Sequence, residues 1–421
     1  MYPTPSGSNN TTDGFSTLYA PRPNFKAQKL LDIARTILIA LFASLLFSTS
    51  LQADEHNSSK AFASVRFFTD EGDLDLSDYL SQAYGFLPVP IIITEPAVGY
   101  GGGAELIYLH DKFTGRKGAS GRNIPPSISG VILAGTENDT KIAGGFHLGY
   151  YLEDTLRTQT FVMLTDININ FYTPADRAVF MNLKNPIFYQ SFKYRFGESD
   201  FFAGVSYLYT SSEVSLKHEE EDNDIDLPPW TTANAAIGLI LDYDTRDNTL
   251  SPNKGMLFNA RANFFGDYAG SDNTFQKYFL QELLYIPLGE KINFDQRFVF
   301  DSIRGDEAPF YMYPFVAMRG VPAMRYQGEN VALYEAQLSY DIGKRWRLLA
   351  FGGVARAYGS RDTLLGDVSV SFRDAPTVMT KGAGFRYLIA EKFGLRMGID
   401  IAKSNEDTAF YIQFGTAWFG L

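Results

Sequence analysis

The chain has no cysteine. That excludes a disulfide framework, a thiolate metal site and a lipid anchor on cysteine. Histidine is nearly as scarce, with only His56, His110, His147 and His218. Hydrolysis by a serine and a histidine needs a nucleophile, a base and an orienting acid. His147, in the middle of "GGFHLGYY", is the only candidate base, and no nucleophile spacing accompanies it, so no catalytic residue is expected. Basic charge is also short: Lys and Arg number 37 against 48 Asp and Glu, a net charge of −11. Nucleic-acid binding, which wants a basic face, is disfavoured. The last absence is of long apolar runs. The longest, "TILIALFASLLF" at 36–47, has 12 residues, against the roughly 20 that a spanning helix needs.

That run follows Lys26, Lys29 and Arg35 and precedes "STSLQA". A basic stretch, a short apolar core and small residues make a secretory signal, so residues 1–53 are read as an N-terminal extension and signal, with cleavage after Ala53. Removing them takes away four basic and two acidic residues and leaves a net charge near −13. An exported chain without spanning helices is either soluble or a transmembrane β-barrel.

What the chain has in abundance is aromatic residues, Phe 35 and Tyr 25, and a strict two-residue rhythm. Residues 54–86 are polar and acidic and read as a periplasmic linker with a short helix at Leu76–Tyr84. From there to residue 421 the pattern is that of strands. In "FGLRMGIDIA" (393–402), Leu395, Met397, Ile399 and Ile401 share one face, and Arg396, Gly398 and Asp400 share the other. The same alternation holds in 236–244, 256–264 and 331–342; in the last, Tyr334, Leu338 and Tyr340 oppose Glu335, Gln337 and Ser339. In 161–171, Phe161, Met163, Ile169 and Phe171 oppose Asp166, Asn168 and Asn170. Strands of about ten residues with one apolar face match a tilted membrane crossing. Aromatics at strand ends, Tyr243, Tyr340, Trp346, Trp418 and Phe419, suit interfacial girdles.

Turn lengths alternate as well. "LEDT" (152–155), "GESD" (197–200), "PLGEK" (287–291), "GKRW" (343–346) and "IAEK" (389–392) are short; 217–230, 304–330 and 359–376 are long. Short turns belong on the periplasmic side and long loops outside. Counting back from Thr408–Phe419 gives about 16 strands. The expectation is an all-β protein, a transmembrane up-and-down antiparallel barrel over 87–421. The first strand is placed at Pro88–Thr94, and the glycines of 99–103 open the second. Those glycines lack the helix and lysine of a phosphate loop. The acidic run "EEEDNDID" (219–226) lacks the glycine of a calcium loop and reads as a solvated outer loop meeting lipopolysaccharide. No metal or cofactor is expected.

Several stretches resemble one family. "LDYDTRDNTLSPNKGMLFNARANF" (241–264) is similar to the Asp-Thr-Arg-Asp turn of BamA/TamA-type barrels. "MRGVPAMRYQGENVALYEAQLSYDI" (318–342) is similar to their Arg-Gly loop and the strand after it. "RLLAFGGVARAYG" (347–359) and "YIQFGTAWF" (411–419) resemble the next strand and the closing strand. The resemblance implies that the long loop before strand 12 folds into the lumen, with Arg319, Gly320, Arg325 and Tyr326 as its motif. Arg319 would then pair with an inward acid, and strand parity nominates Glu335. Two positions depart from the family: Val321 stands where an aromatic is usual, and Phe351-Gly352-Gly353 replaces Phe-x-Asp. Without that acid the pairing rests on Glu335, and the two glycines mark close packing under the loop. Family members that assemble proteins carry periplasmic POTRA modules, and 54–86 is too short for one. The expectation is therefore a POTRA-less outer-membrane relative of assembly and translocation barrels. It would contact membrane lipid and lipopolysaccharide and work with a separate periplasmic protein. The alternative is a small passive solute channel.

Overall fold

The computed structural model describes residues 66–82, 85–111, 124–173, 177–216, 229–363 and 366–418. The expected signal, the acidic run 219–226, His56, His218 and Phe419 lie outside the described residues.

Among the described residues, seventeen strands follow one another in chain order. The first half comprises β1 (Gly85–Ile93), β2 (Gly101–Leu109), β3 (Ile128–Thr136), β4 (Lys141–Tyr151), β5 (Leu156–Tyr172), β6 (Ala178–Arg195), β7 (Phe201–Leu216) and β8 (Trp230–Asp244). Then come β9 (Gly255–Phe265), β10 (Phe275–Pro287), β11 (Ile292–Arg304), β12 (Asn330–Ile342), β13 (Trp346–Thr363), β14 (Gly366–Val370), β15 (Val378–Ala390), β16 (Leu395–Ser404) and β17 (Thr408–Phe414). Each, apart from β14, pairs antiparallel with the next strand of the wall. The short β14 pairs only with residues 359–363 of β13, whose remaining length pairs with β15. The wall of the barrel is thus 16 strands, as the turn spacing predicts. The first strand begins three residues earlier than expected, and the last ends five residues sooner.

Rolling the sheet into a cylinder lets the strands between β1 and β17 satisfy their backbones with their neighbours, which is what hydrocarbon demands. The two-residue pleat then sorts side chains outward and inward. On β8, Ile237, Leu239 and Leu241 are exposed while Asp242 and Asp244 are buried. On β12, Tyr334, Leu338 and Tyr340 are exposed while Glu335 and Ser339 are buried. An exposed row of Leu and Ile opposite a buried row of carboxylates inverts the pattern of a water-soluble sheet.

Strand β5 departs from the expected arrangement. Val162 and Leu164 are exposed, whereas Ile169 and Phe171 are buried and pack with Met181, Leu183 and Tyr311 of the long connection. Its aromatic face therefore turns inward and its Asp166 face outward. Both faces are apolar at "FVML" (161–164), so the alternation is ambiguous there. The lumen settles it by offering Phe171 the ring of Phe310, 4.9 Å away. Trp418 is a second correction. Rather than joining a lipid-facing girdle, it is buried with Leu257, Leu283 and Tyr285. The chain turns at Gly415, whose φ of 74° is open to glycine at little cost.

The polar stretch before the barrel is docked as well. Its helix α1 (Ser77–Gln82) lies against the β12–β13 and β15–β16 turns. Arg345 donates to Asp75 at 2.8 Å, to Glu391 at 3.0 Å and to the carbonyl of Leu388 at 3.1 Å. Leu76 N–H donates to Ile389 O at 2.7 Å, and Lys392 N–H to Ser77 Oγ at 3.0 Å. Burial pushes the Asp75 carboxyl up, but bonds from Ser77 and Arg345 outweigh it and leave its pKa below the ordinary value. Such a group stabilises the docked form fully above its unfolded value of 3.8, and the contribution fades as pH falls through the lower folded value. Arg345→Ala should remove about 2 kcal/mol of docking. Proteolysis of 66–82 should accelerate while the barrel stays intact, and wild type should show the same cleavage only in acid. Unchanged cleavage in the variant would contradict this account.

Candidate functional site

The connection between β11 and β12 spans 305–329, and it decides what the lumen contains. It leaves the wall at Gly305 (φ 112°) and makes a 3-10 turn at Phe310–Met312. A short antiparallel bridge, Phe315 to Gln327, closes it into a hairpin-like tongue. The inward rows of β11, β12, β13 and β15 are apolar near this end. There Val299, Val331, Leu333, Ala355 and Val378 pack with Val316, Met318 and Val321 of the tongue. Val316, Met318 and Val321, on either side of Arg319, are therefore core residues of a miniature interior. Gly353 belongs to it, since a Cβ there would lie 2.6 Å from Met318 Sδ and 2.7 Å from Glu335 Cγ. Gly352, its neighbour, has an open Cβ direction, 3.4 Å from Thr380 O, and meets no such crowding.

Arg319 sits at the tip. Its Nη1 donates to Asp400 Oδ2 at 2.8 Å and to Gln337 Oε1 at 3.3 Å. Its Nε lies 3.5 Å from Glu335 Oε1, an ion-pair distance without hydrogen-bond geometry. The guanidinium stacks on Phe351, its Cζ 3.5 Å from the ring centre, with the Trp418 ring at 5.5 Å. Arg319 and its acids are buried. Each carboxylate has a second cation: Arg386 grips Asp400 bidentately at 2.6 and 2.9 Å, and Arg297 donates to Glu335 at 3.0 Å. Three arginines thus share two carboxylates.

Glu335, the acid that strand parity nominates, lies 3.5 Å from Arg319, and Asp400 of β16 is nearer at 2.8 Å. It supplies the acid that Phe351-Gly352-Gly353 lacks. The backbone beside Arg319 is tied in turn. Gly320 N–H donates to Tyr411 OH at 2.8 Å, and Ser404 Oγ donates to Gly320 O at 2.6 Å. Thr380 Oγ1 donates to Arg319 O at 2.6 Å. Gly320 has φ 84°, which favours glycine, and a Cβ there would press on Ala402 and Thr380 at 3.2–3.3 Å. Arg325 and Tyr326 lie apart from Arg319. Both reach Glu406 in the β16–β17 turn, Arg325 Nε at 3.0 Å, and Arg325 stacks on Tyr172 at 4.4 Å.

A second buried network stands at the other end of the lumen, around the Asp-Thr-Arg-Asp turn. Asp244 accepts from Arg246 at 2.9 Å and from Arg157 at 3.3 Å, and Arg157 also takes Asp154 at 2.6 and 2.7 Å. Lys193 pairs with Asp242 at 2.7 Å. Asp247 accepts the N–H groups of Asn253 and Lys254, which closes the turn.

His147 has neighbours that spacing along the chain does not reveal. It lies opposite Ser129 across β3 and β4. Ser129 Oγ is 2.9 Å from His147 Nδ1 and 2.7 Å from His110 Nε2, and His147 Nε2 is 2.7 Å from Tyr151 OH. The far nitrogen of His147 thus meets a phenol rather than a carboxylate. The cluster shares the outward row of the exposed Val131.

Residues 127–313 match the Omp85 superfamily domain. Among curated proteins, none matches the chain in sequence. Among solved structures, BamA from Haemophilus ducreyi lacking POTRA domains 1–3 superposes with a TM-score of 0.52 at 11% identity, covering 86% of this chain and 82% of that one. CdiB from Acinetobacter baumannii superposes with a TM-score of 0.49 at 10% identity, over 79% of this chain and 59% of that one. At such identities the likeness to BamA bears on the fold alone.

Proposed function

Taking as premise that the chain is an outer-membrane β-barrel carrying an Omp85 superfamily domain and resembling the barrels of assembly and translocation pores, we propose that it works as a braced barrel of that kind. In this reading the tongue 305–329 is an internal brace rather than an outer loop, and residues 54–86 lie on the periplasmic side, where a separate periplasmic protein would dock. The reading assigns no catalytic residue and no cofactor. The observation that carries it is the seat of Arg319 between Asp400 and Glu335, on Phe351. A buried guanidinium is tolerable only with paired carboxylates, and a loop free to project outward gains nothing from such a seat.

The passive-channel alternative predicts a lumen open at rest. The tongue's packing on inward residues of β11, β12, β13 and β15 weighs against it. In planar bilayers the wild-type protein should show little steady conductance, and deletion of 307–328 with a Gly-Ser bridge should raise it severalfold. Large steady conductance in wild type, unchanged by the deletion, would reject the brace and favour the channel.

A further inference from the structure

Three polar side chains from neighbouring segments meet on the outer wall, apart from the buried networks of the lumen. Tyr108 of β2 lies opposite Ser129 of β3, which lies opposite His147 of β4. His110 follows β2 directly, and its N–H extends the ladder to Ser127 O at 3.0 Å. Side chains two residues apart share a face, so His110 stands on the face of Tyr108, with Ser129 and His147. The chain enters the barrel at this end of β2, since Gly85 lies opposite Leu109.

Both imidazoles point at one oxygen. Ser129 Oγ is 2.7 Å from His110 Nε2 and 2.9 Å from His147 Nδ1. The two ring centres are 5.3 Å apart, and the ring planes stand at 87° to each other. Two imidazoles on one tetrahedral zinc ion, each nitrogen at about 2.0–2.1 Å, hold their ring centres roughly 5 Å apart. The spacing that a shared ion requires is therefore present without movement of any strand.

The rings are also held in place. Tyr108 meets His110 edge to face, with ring centres 5.0 Å apart. Tyr151 OH lies 2.7 Å from His147 Nε2. When Nε2 carries the proton and donates it to that hydroxyl, Nδ1 turns its lone pair to the point shared with His110. Ligand imidazoles are oriented in this way, through the nitrogen that does not touch the metal.

Imidazole and hydroxyl donors, with no thiolate, suit zinc, copper or nickel rather than magnesium or calcium. Among the described residues, no group of three or more His, Cys, Asp and Glu gathers to hold an ion. Two imidazoles are thus the nitrogen donors, and Ser129 Oγ and water complete the shell. His110 is exposed, so water reaches the open positions.

We propose that His110 and His147, with Ser129 between them, bind a divalent transition-metal ion such as zinc, which ties β2 to β4 across β3. The proposal goes beyond the braced barrel of the preceding section and uses no residue of the tongue, so metal binding and lumen conductance can fail separately.

The test titrates zinc chloride into the tag-free protein in detergent and follows the heat. One zinc ion per chain is expected, with affinity weaker by about tenfold or more in His110→Ala and in His147→Ala. Tyr151→Phe, which removes the orienting hydroxyl, should weaken binding about tenfold. The double variant His56→Ala/His218→Ala removes the two other histidines and should bind as wild type does. With copper(II) in place of zinc, electron paramagnetic resonance should show coupling to two imidazole nitrogens in wild type and to at most one in either single alanine variant. Heat-modifiable migration checks that each protein is folded. No saturable binding, equal affinity in His147→Ala and wild type, or loss of binding in the double variant would overturn the proposal.

Discussion

Arg319→Glu is expected to leave most of the protein outside the folded, heat-modifiable form. The substitution removes the cation that lies 2.8 Å from Asp400 and 3.5 Å from Glu335 and sets a third carboxylate in their place. Both acids are fully buried, so solvent does little to screen the repulsion. Removing one partner of a buried charge pair costs about 3–5 kcal/mol, and reversing its sign costs more. That is comparable with the whole stability of many domains. The tongue would lose its seat, and with it the apolar contacts of Val316, Met318 and Val321. Arg319→Lys should fall between, because an ammonium keeps the charge but not the planar stack on Phe351 or the forked donors. Electrophoretic mobility of unheated samples, with circular dichroism in detergent, measures both. A folded fraction for Arg319→Glu equal to wild type would mean that the seat is incidental.

Asp400→Asn should be the second most damaging change, and clearly worse than Glu335→Gln. Asp400 accepts from two guanidinium groups, Arg386 at 2.6 and 2.9 Å and Arg319 at 2.8 Å. Neutralising it takes from Arg386 the carboxylate that it grips and leaves Arg319 to share Glu335 with Arg297, a loss of about 3–5 kcal/mol. Glu335→Gln leaves the Asp400 cluster whole and removes an Arg319 contact that is only 3.5 Å in any case, so its cost is set chiefly by Arg297, about 2 kcal/mol. Unfolding midpoints in urea, read by loss of heat-modifiability, would rank the three proteins. A midpoint for Glu335→Gln below that of Asp400→Asn would overturn the assignment of Asp400 as the principal partner.

Much of the barrel is written locally. The pleat makes residue i and residue i+2 share a face, so "GLILDYD" (238–244) and "LYEAQLSYDI" (333–342) show one face for lipid and one for the lumen without reference to any other strand. Turn residues set where each strand ends, and their spacing yields sixteen strands. An Arg-Gly pair in a long connection with apolar companions marks a segment that needs an interior, and parity on the next strand places Glu335 in it.

What the chain order could not supply is which distant residue meets which. Asp400 stands 81 positions from Arg319 on a strand whose alternation says only that it faces inward; closing the sheet brings it to the tip of the tongue. The inward turn of Phe171, the burial of Trp418 and the pairing of Ser129 with His147 arise in the same way. Where both faces of a strand are apolar, local pattern carries no preference, and the choice falls to whatever the closed cylinder places opposite. Periodicity is a property of neighbours along the chain, whereas charge pairing and packing across a lumen are properties of a curved sheet. The first was determined by the sequence alone, and the second only by the tertiary structure.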